Sequence, residues 1–346
     1  MKAGLVGYAQ SGKTTLFNAL TGLHKGGSAA RGQVNLGAIK VPDPRVDALA
    51  AIFKPRKTSW AEMLFVDVPG APSKGSGLPP ESLRALAEVD AFCLVVRGFP
   101  ALDGAAPGPA RELNDFDAEL LLHDLGIVEK RLDRLRKEHG KTSGEFHELE
   151  RLHGQLDAGK PLRTMRWSDA EEKEMAHFGF LSRRPLLVVV NAPEEAAASA
   201  PPADVEGAAG ERGAEAISLC APVEAEISEL DPSEQPDFLQ AMGLSEPARA
   251  RFIRAAYKLL DWISFFTVGE DEVKAWTIRR GDRAPRAAGR IHSDLERGFI
   301  RAEVMHYPDF ISSGSEAKAR HDGKLRVEGK EYVVQDGDIL HVRFAV

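Results

Sequence analysis

The sequence predicts an α/β fold: a parallel sheet carrying a phosphate-binding loop, with a helical hairpin inserted into it and a small β-rich domain after it. Three observations carry this. Residues Gly7 to Thr14 read Gly-Tyr-Ala-Gln-Ser-Gly-Lys-Thr, which fits the phosphate-loop pattern G-x-x-x-x-G-K-[ST]. Apolar runs at 3–6, 62–66 and 91–96 alternate with helical patterns, the texture of parallel strands joined by helices. Near Leu113 the texture becomes helical, and it returns to α/β at Pro185.

The first element is the strand Ala3-Gly4-Leu5-Val6, and the loop follows it directly. A helix carrying Leu16, Phe17, Ala19 and Leu20 comes next and is closed by Gly22. Strand, glycine-rich loop and helix are the setting a phosphate loop needs, because the helix N-terminus adds a positive dipole where the phosphates lie. The main-chain N–H groups of such a loop point inward and cradle a polyphosphate. Gly7, Gln10, Ser11, Gly12, Lys13, Thr14 and Thr15 are the expected nucleotide-binding residues. Lys13 reaches the β- and γ-phosphates, and the Thr14 hydroxyl ligates Mg²⁺.

The second strand, Met63 to Val66, runs into Asp67-Val68-Pro69-Gly70. An aspartate at a strand tip downstream of a phosphate loop is placed to hold Mg²⁺ through water, and the Gly70 N–H to sense the γ-phosphate. Lys13, Thr14, Asp67 and Gly70 are therefore the expected catalytic set, with Thr14 and Asp67 serving the metal. The Gly-, Pro- and Ser-rich stretch Ala71 to Pro80 reads as a mobile loop. The third strand, Phe92 to Val96, is unbroken apolar core and includes Cys93.

Leu121, Leu125, Val128, Leu132 and Leu135 are spaced four, three, four, three, an apolar seam of period 3.5 flanked by charges. Gly140 and Gly144 punctuate a turn, and Phe146, Leu149, Leu152 and Leu156 begin a second helix. The expected result is an antiparallel helical arm over 113–184, inserted between two parts of one nucleotide domain, 1–112 and 185–262. The run Leu186 to Val190 is a fully buried strand by its continuous apolar character. Asn191-Ala192-Pro193-Glu194 follows it, where GTPases of the Ras type place N-K-x-D to read guanine. Glu194 is one methylene longer than the aspartate that pairs with guanine N1–H and N2–H₂, and Ala192 replaces the lysine that covers the base. Both changes favour ATP, with Asn191 and Glu194 as the base contacts. Residues 193–213 read as a surface loop with a short helix. Ala216 to Leu219 is a last short strand, and Ser218 occupies the place of a final base-contacting loop. A helix then runs to about Trp262, with Ser245 as its expected N-cap and Pro247 in its first turn. From 263 to 346 the character is β.

Composition bounds the rest. The 346 residues, 43% of them hydrophobic, suffice for two or three domains with an ample core. A net charge of −7 excludes general electrostatic binding of nucleic acid, so any such role needs a local patch. Lys274, Arg279, Arg280, Arg283, Arg286, Arg290, Arg297 and Arg301, with Trp276 and Phe299 among them, form one in sequence. Two widely separated cysteines fit a reducing, cytoplasmic setting, no signal peptide precedes the loop strand, and no apolar run is long enough to span a membrane. Nothing in the sequence specifies an oligomeric state. Two groups common in Ras-like switches are missing. The place of the water-positioning glutamine after D-x-x-G holds Ala71, and Ser28 is the only hydroxyl between Gly22 and Asp43. Slow unaided hydrolysis is the expectation.

Taken together, these features resemble the Obg-like ATPases of the YchF type, within the translation-factor-related P-loop proteins. The resemblance rests on the phosphate loop with Thr15 to Thr21, on Val41-Pro42-Asp43-Pro44-Arg45, on Glu129-Lys130-Arg131-Leu132 and on Gly159-Lys160-Pro161-Leu162-Arg163. It rests most on four C-terminal runs: Ile263 to Gly269, Ala275 to Arg279, Arg297 to Glu303 and Val334 to Asp338. The phosphate loop departs from the family's usual Leu-Pro-Asn-Val at Tyr8-Ala9-Gln10-Ser11. The resemblance implies a Ras-like P-loop nucleotide-binding domain with an inserted helical arm, and a β-grasp domain of the TGS kind at 263–346. It implies ATP as the preferred nucleotide, with Mg²⁺ as cofactor, and the ribosome or ribosomal RNA as partner. Three alternatives stand beside it: a GTPase of the same fold, a module that holds nucleotide with negligible turnover, and a protein scaffold whose β-grasp domain binds no RNA.

Overall fold

The computed structural model describes residues 2–22, 35–69, 78–138 and 143–345. In chain order its strands are β1 (Lys2–Val6), β2 (Asn35–Lys40), β3 (Lys57–Ser59), β4 (Glu62–Asp67), β5 (Ala91–Arg97), β6 (Leu186–Asn191), β7 (Glu215–Leu219), β8 (Trp262–Thr267), β9 (Glu272–Arg279), β10 (Phe299–His306), β11 (Arg326–Glu328) and β12 (Asp338–Phe344). Its helices are α1 (Lys13–Thr21), α2 (Pro44–Phe53), α3 (Pro80–Ala87), α4 (Pro109–Glu138), α5 (Gly144–Asp157), α6 (Asp169–Met175), α7 (Ala203–Glu211), α8 (Ala221–Glu229), α9 (Gln235–Ala241), α10 (Ala248–Leu259), α11 (Ala284–Ile291), α12 (Ser293–Arg297), α13 (Tyr307–Ser313) and α14 (Glu316–His321). The chain forms two compact units, Met1–Ala38 with Leu64–Phe252, and Ile39–Met63 with Ile253–Val346.

The first unit holds a six-stranded sheet in the order β2-β4-β1-β5-β6-β7. The pairings of β1 with β4 and β5, of β5 with β6, and of β6 with β7 are all parallel. Every residue of β5 and β6 is buried, as unbroken apolar strands require when helices cover both faces. Register brings Leu5 beside Asp67 and Arg97 beside Asn191, so the four central strands deliver their chemistry at their C-terminal ends.

The helical segment is a hairpin of α4 and α5. Leu121, Val128, Leu132 and Leu135 are buried in one cluster with Phe146, Leu149, Leu152 and Leu156, as their spacing predicts. The helix starts before that seam. Leu113, Phe116 and Leu120, one or two turns earlier, pack instead with Phe92, Val96 and Leu186 in the core of the sheet. One continuous helix thus serves two cores, which is why the change of texture at Leu113 marks no break in the chain. The returning segment is pinned by buried acids of α4. Asp117 pairs with Arg163 and, at 3.0 Å, with Arg212, while Asp124 accepts from the N–H groups of Leu181 (2.9 Å) and Ser182 (2.7 Å).

The second unit holds a mixed sheet in the order β11-β10-β12-β8-β9-β3. Its first and last long strands, β8 and β12, lie parallel at the centre, with antiparallel β9 and β10 outside them. Ala284, Ala287 and Ala288 of α11 close the core against Ile263, Phe265 and Leu340. This is the β-grasp order. Helices α11 to α14 interrupt a stretch whose sequence reads as β throughout. The unit also contains residues 39–63, which the sequence reading assigned to the nucleotide domain. Strand β3 pairs in parallel with β9, Phe53 stacks on Phe310 at 5.4 Å, and Arg45 lies between two carboxylates. Its guanidinium bonds Asp43 at 2.8–3.2 Å and Asp336 at 3.0 and 3.2 Å. The Val41 to Arg45 motif is therefore an anchor within the second unit. Its partner Asp336 lies 291 residues downstream, beyond the reach of any local pattern.

Candidate nucleotide-binding site

The site grows from the turn between β1 and α1. Two loop residues take left-handed backbone angles, Gln10 (φ 66°) and Gly12 (φ 84°), on either side of a turn in which Ser11 N–H donates to the Tyr8 carbonyl at 3.2 Å. Gly7 and Gly12 are glycines for lack of room. A Cβ on Gly7 would lie 2.6 Å from the Val95 carbonyl, and one on Gly12 would lie 2.0 Å from Asn191 Nδ2. No side chain caps α1, so its first N–H groups remain available to an anion.

The one ammonium of the loop, Lys13, forms an ion pair with Asp67, and the two side chains are 12% and 11% exposed. Asp67 ends β4, held there by the bond from Val68 N–H to the Leu5 carbonyl at 3.0 Å. Just beyond, the fully buried Ser82 of α3 donates to the Pro69 carbonyl at 2.6 Å and pins the chain as it leaves the site. Gly70 lies outside the described residues, as do Ser28 and most of the segment Ala71 to Pro80.

Asn191 is the brace. It is 2% exposed at the end of β6. Its Nδ2 donates to the Ser11 carbonyl at 2.9 Å, and its Oδ1 accepts from Ala221 N–H at 2.9 Å. One amide side chain thereby ties the phosphate loop to the start of α8. The structure thus brings Gly7, Ser11, Gly12, Lys13, Asp67 and Asn191 together. Gln10, Thr14 and Thr15 are exposed on the loop and the first turn of α1. Glu194 is exposed in a short 3₁₀ turn after β6, and Ser218 is buried inside β7 beside Val190. Neither of these two has a bond to the loop among the described residues. Three supporting residues escaped the sequence reading. Ser82 carries no motif. Glu224 of α8 accepts from the N–H groups of Ala248 (2.7 Å) and Arg249 (2.9 Å), so it, and not Ser245, caps α10. Arg251 donates to the Ser218 carbonyl at 3.5 Å.

The donor set suits Mg²⁺. Thr14 and Asp67 offer a hydroxyl and a carboxylate, both hard oxygens, at the mouth of the loop. Among the described residues no group of three or more His, Cys, Asp and Glu forms a self-sufficient metal cage. That is the expected arrangement for an ion that takes its remaining ligands from phosphates and water.

A family model described as 50S ribosome-binding GTPase matches residues 2–130. A model of the C-terminal domain of YchF GTPases, described as a protein of unknown function, matches residues 262–345. The chain is 39% identical to the ribosome-binding ATPase YchF of Bacillus subtilis, with 100% of both chains covered. It is 39% identical to the protein of the same name from Escherichia coli O157:H7, over 100% of this chain and 99% of the other. The solved structure of the Schizosaccharomyces pombe YchF GTPase superposes with a TM-score of 0.86 at 30% identity, covering 99% of this chain and 97% of that one.

The chain belongs to the YchF family. As in that family, a P-loop GTPase-like domain is joined to the YchF C-terminal domain in one α/β chain. Among the described residues of this YchF protein, no helix is long and apolar enough to cross a membrane.

Proposed function

We propose that this YchF protein is a cytoplasmic, Mg²⁺-dependent nucleoside triphosphatase switch that prefers ATP to GTP and acts on the ribosome. The observation that carries the reading is the Lys13–Asp67 pair at the uncapped N-terminus of α1, braced by Asn191. In this reading the amides at the start of α1, with others of the loop Gly7 to Thr14 that are not engaged in its turn, bind the phosphates, and Lys13 balances the γ-phosphate charge. Thr14 and Asp67 hold the metal, and Gly70 follows the presence of the γ-phosphate. Mg²⁺, when bound there, would supply charge neutralisation to the triphosphate. Asn191 holds the loop in register with the base-side elements, and Ala192 and Glu194 leave guanine without its usual partners. The domain division is proposed as a nucleotide domain at 1–112 and 185–262, an inserted arm at 113–184 and a TGS-like domain at 263–346, with residues 39–63 contributing to the last.

The ribosome enters through the names of the bacterial relatives and through local charge. Four of the eight basic residues noted in the sequence are in ion pairs: Arg280 with Asp261, Arg283 with Glu331, Arg286 with Glu296 and Arg297 with Asp294. Arg279, Arg290 and Arg301 are exposed and have no salt-bridge partner among the described residues. They are the free cations for RNA phosphates.

Lys13→Ala is expected to abolish tight binding of ATP while leaving the fold intact, as read by titration and circular dichroism; an unchanged ATP affinity overturns the assignment. Competition between ATP and GTP in the same titration decides the base. A second reading, a module that holds nucleotide and hardly turns it over, is favoured by Ala71 in the place of the water-positioning glutamine. Single-turnover hydrolysis with and without ribosomes separates the two.

A further inference from the structure

Four buried polar side-chain atoms lack a hydrogen-bond partner among the described residues: the Ser11 hydroxyl of the phosphate loop, and three that take no part in the reading above. Tyr8 follows the first loop glycine, and its side chain is packed into the core with Leu113, Phe116 and Leu120 of α4. Its hydroxyl, Nη1 of Arg97 and Oε2 of Glu119 are closed off from the surface and have no hydrogen-bond partner among the described residues. Tyr8 is 7% exposed and Arg97 9%. Arg97 ends β5, and its main-chain N–H donates to Glu112 Oε2 at 2.9 Å. Glu112, Asp115 and Glu119 recur at i, i+3 and i+7 and so share one face of α4, beside the apolar stripe of Leu113, Phe116 and Leu120. Burial first, and then the charges of Glu119, Asp115 and Glu112, push the Tyr8 phenol above its ordinary range, so it keeps its proton and remains a donor.

Native proteins do not leave buried polar groups unsatisfied without compensation. These three are chemically complementary: a guanidinium N–H that donates, a carboxylate oxygen that accepts, and a hydroxyl that does both. We propose that Tyr8, Arg97 and Glu119 form one buried hydrogen-bonded network, completed by ordered water, that ties the phosphate loop to the arm helix α4. The network fixes the loop from inside the fold, and so holds its amides ready for phosphate before nucleotide arrives. The half of this inference that concerns nucleotide rests on the triphosphate reading of the loop. The half that concerns the network does not.

The test is a double-mutant cycle on the full chain: wild type, Tyr8→Phe, Glu119→Met and the double variant, each measured by thermal unfolding and by ATP titration. A networked hydroxyl makes Tyr8→Phe lower the unfolding midpoint, by about 2–4 °C. The double variant then falls no further than the worse single one. ATP affinity follows the same pattern, with each single variant weaker by about threefold and the double variant no weaker still. A hydroxyl that truly has no partner gives the opposite sign, because its removal relieves a desolvated group and the midpoint rises. That rise, or strictly additive losses, overturns the network. Non-additive midpoints with equal ATP affinity in all four proteins overturn its link to the loop. Failure of the wild type to bind ATP sinks the triphosphate reading instead, and the midpoints still decide the network.

Discussion

Asn191 has a structural part beyond the one its motif suggests. In sequence it heads a base-reading tetrapeptide. In the structure its amide bridges two main-chain groups, the Ser11 carbonyl and the Ala221 N–H, in a buried position. Asn191→Ala strands both groups, and each buried unsatisfied group costs about 1–3 kcal/mol. A fall in unfolding midpoint of more than about 4 °C is expected, together with weaker binding of ATP and GTP alike. A selective loss of one nucleotide would show that Asn191 reads the base more than it braces the loop. The phosphate-loop residues are legible because their pattern is local: eight consecutive positions specify the turn and its cation. Asn191's bracing role was not legible, because it depends on Ser11 lying 180 residues away in the chain and within bonding distance in space.

At the scale of elements, the buried central strands and the seam of α4 are legible in the sequence, whereas β2, β3, the helices of 284–321 and the helix caps are not. The seam of α4 and the unbroken runs of β5 and β6 advertise themselves through periodicity and apolar content. The cap of α10 does not, since Glu224 reaches it from another helix while Ser245 merely satisfies a local rule. Glu224 also leaves a signature in pH. Burial, its largest influence, raises its pKa, and the two N–H donors with Arg251 and Arg249 offset only part of this. A carboxyl with a raised pKa in the folded state binds its proton more tightly there than in the unfolded chain. Its contribution to stability is therefore fullest below the ordinary glutamate pKa of about 4.3 and is lost as pH rises through the folded value. Urea unfolding between pH 4 and 8 is expected to show wild type losing ground to Glu224→Gln as pH increases. A difference that stays flat across that range contradicts the assignment.

At the scale of the whole molecule, a net charge of −7 means that attraction to RNA has to be local. Reversing Arg279, Arg290 and Arg301 to glutamate should weaken co-sedimentation with ribosomes. The dependence of log affinity on log salt should become shallower by about 1 per lost phosphate contact. ATP binding should be unaffected, and unchanged co-sedimentation would remove the second unit from the ribosome interface. By itself the sequence determined the α/β class, the phosphate loop with Lys13 and Asp67, the helical arm and the family, all of which are written in short-range spacing or in contiguous words. Only the tertiary structure decided that residues 39–63 belong with the C-terminal sheet, that Arg45 is an anchor, that Asn191 is a brace and that Tyr8 faces the arm helix. The physical reason is common to all four. Each depends on partners brought together by chain topology, and a contact between segments far apart in the chain leaves no mark on the spacing of residues along it.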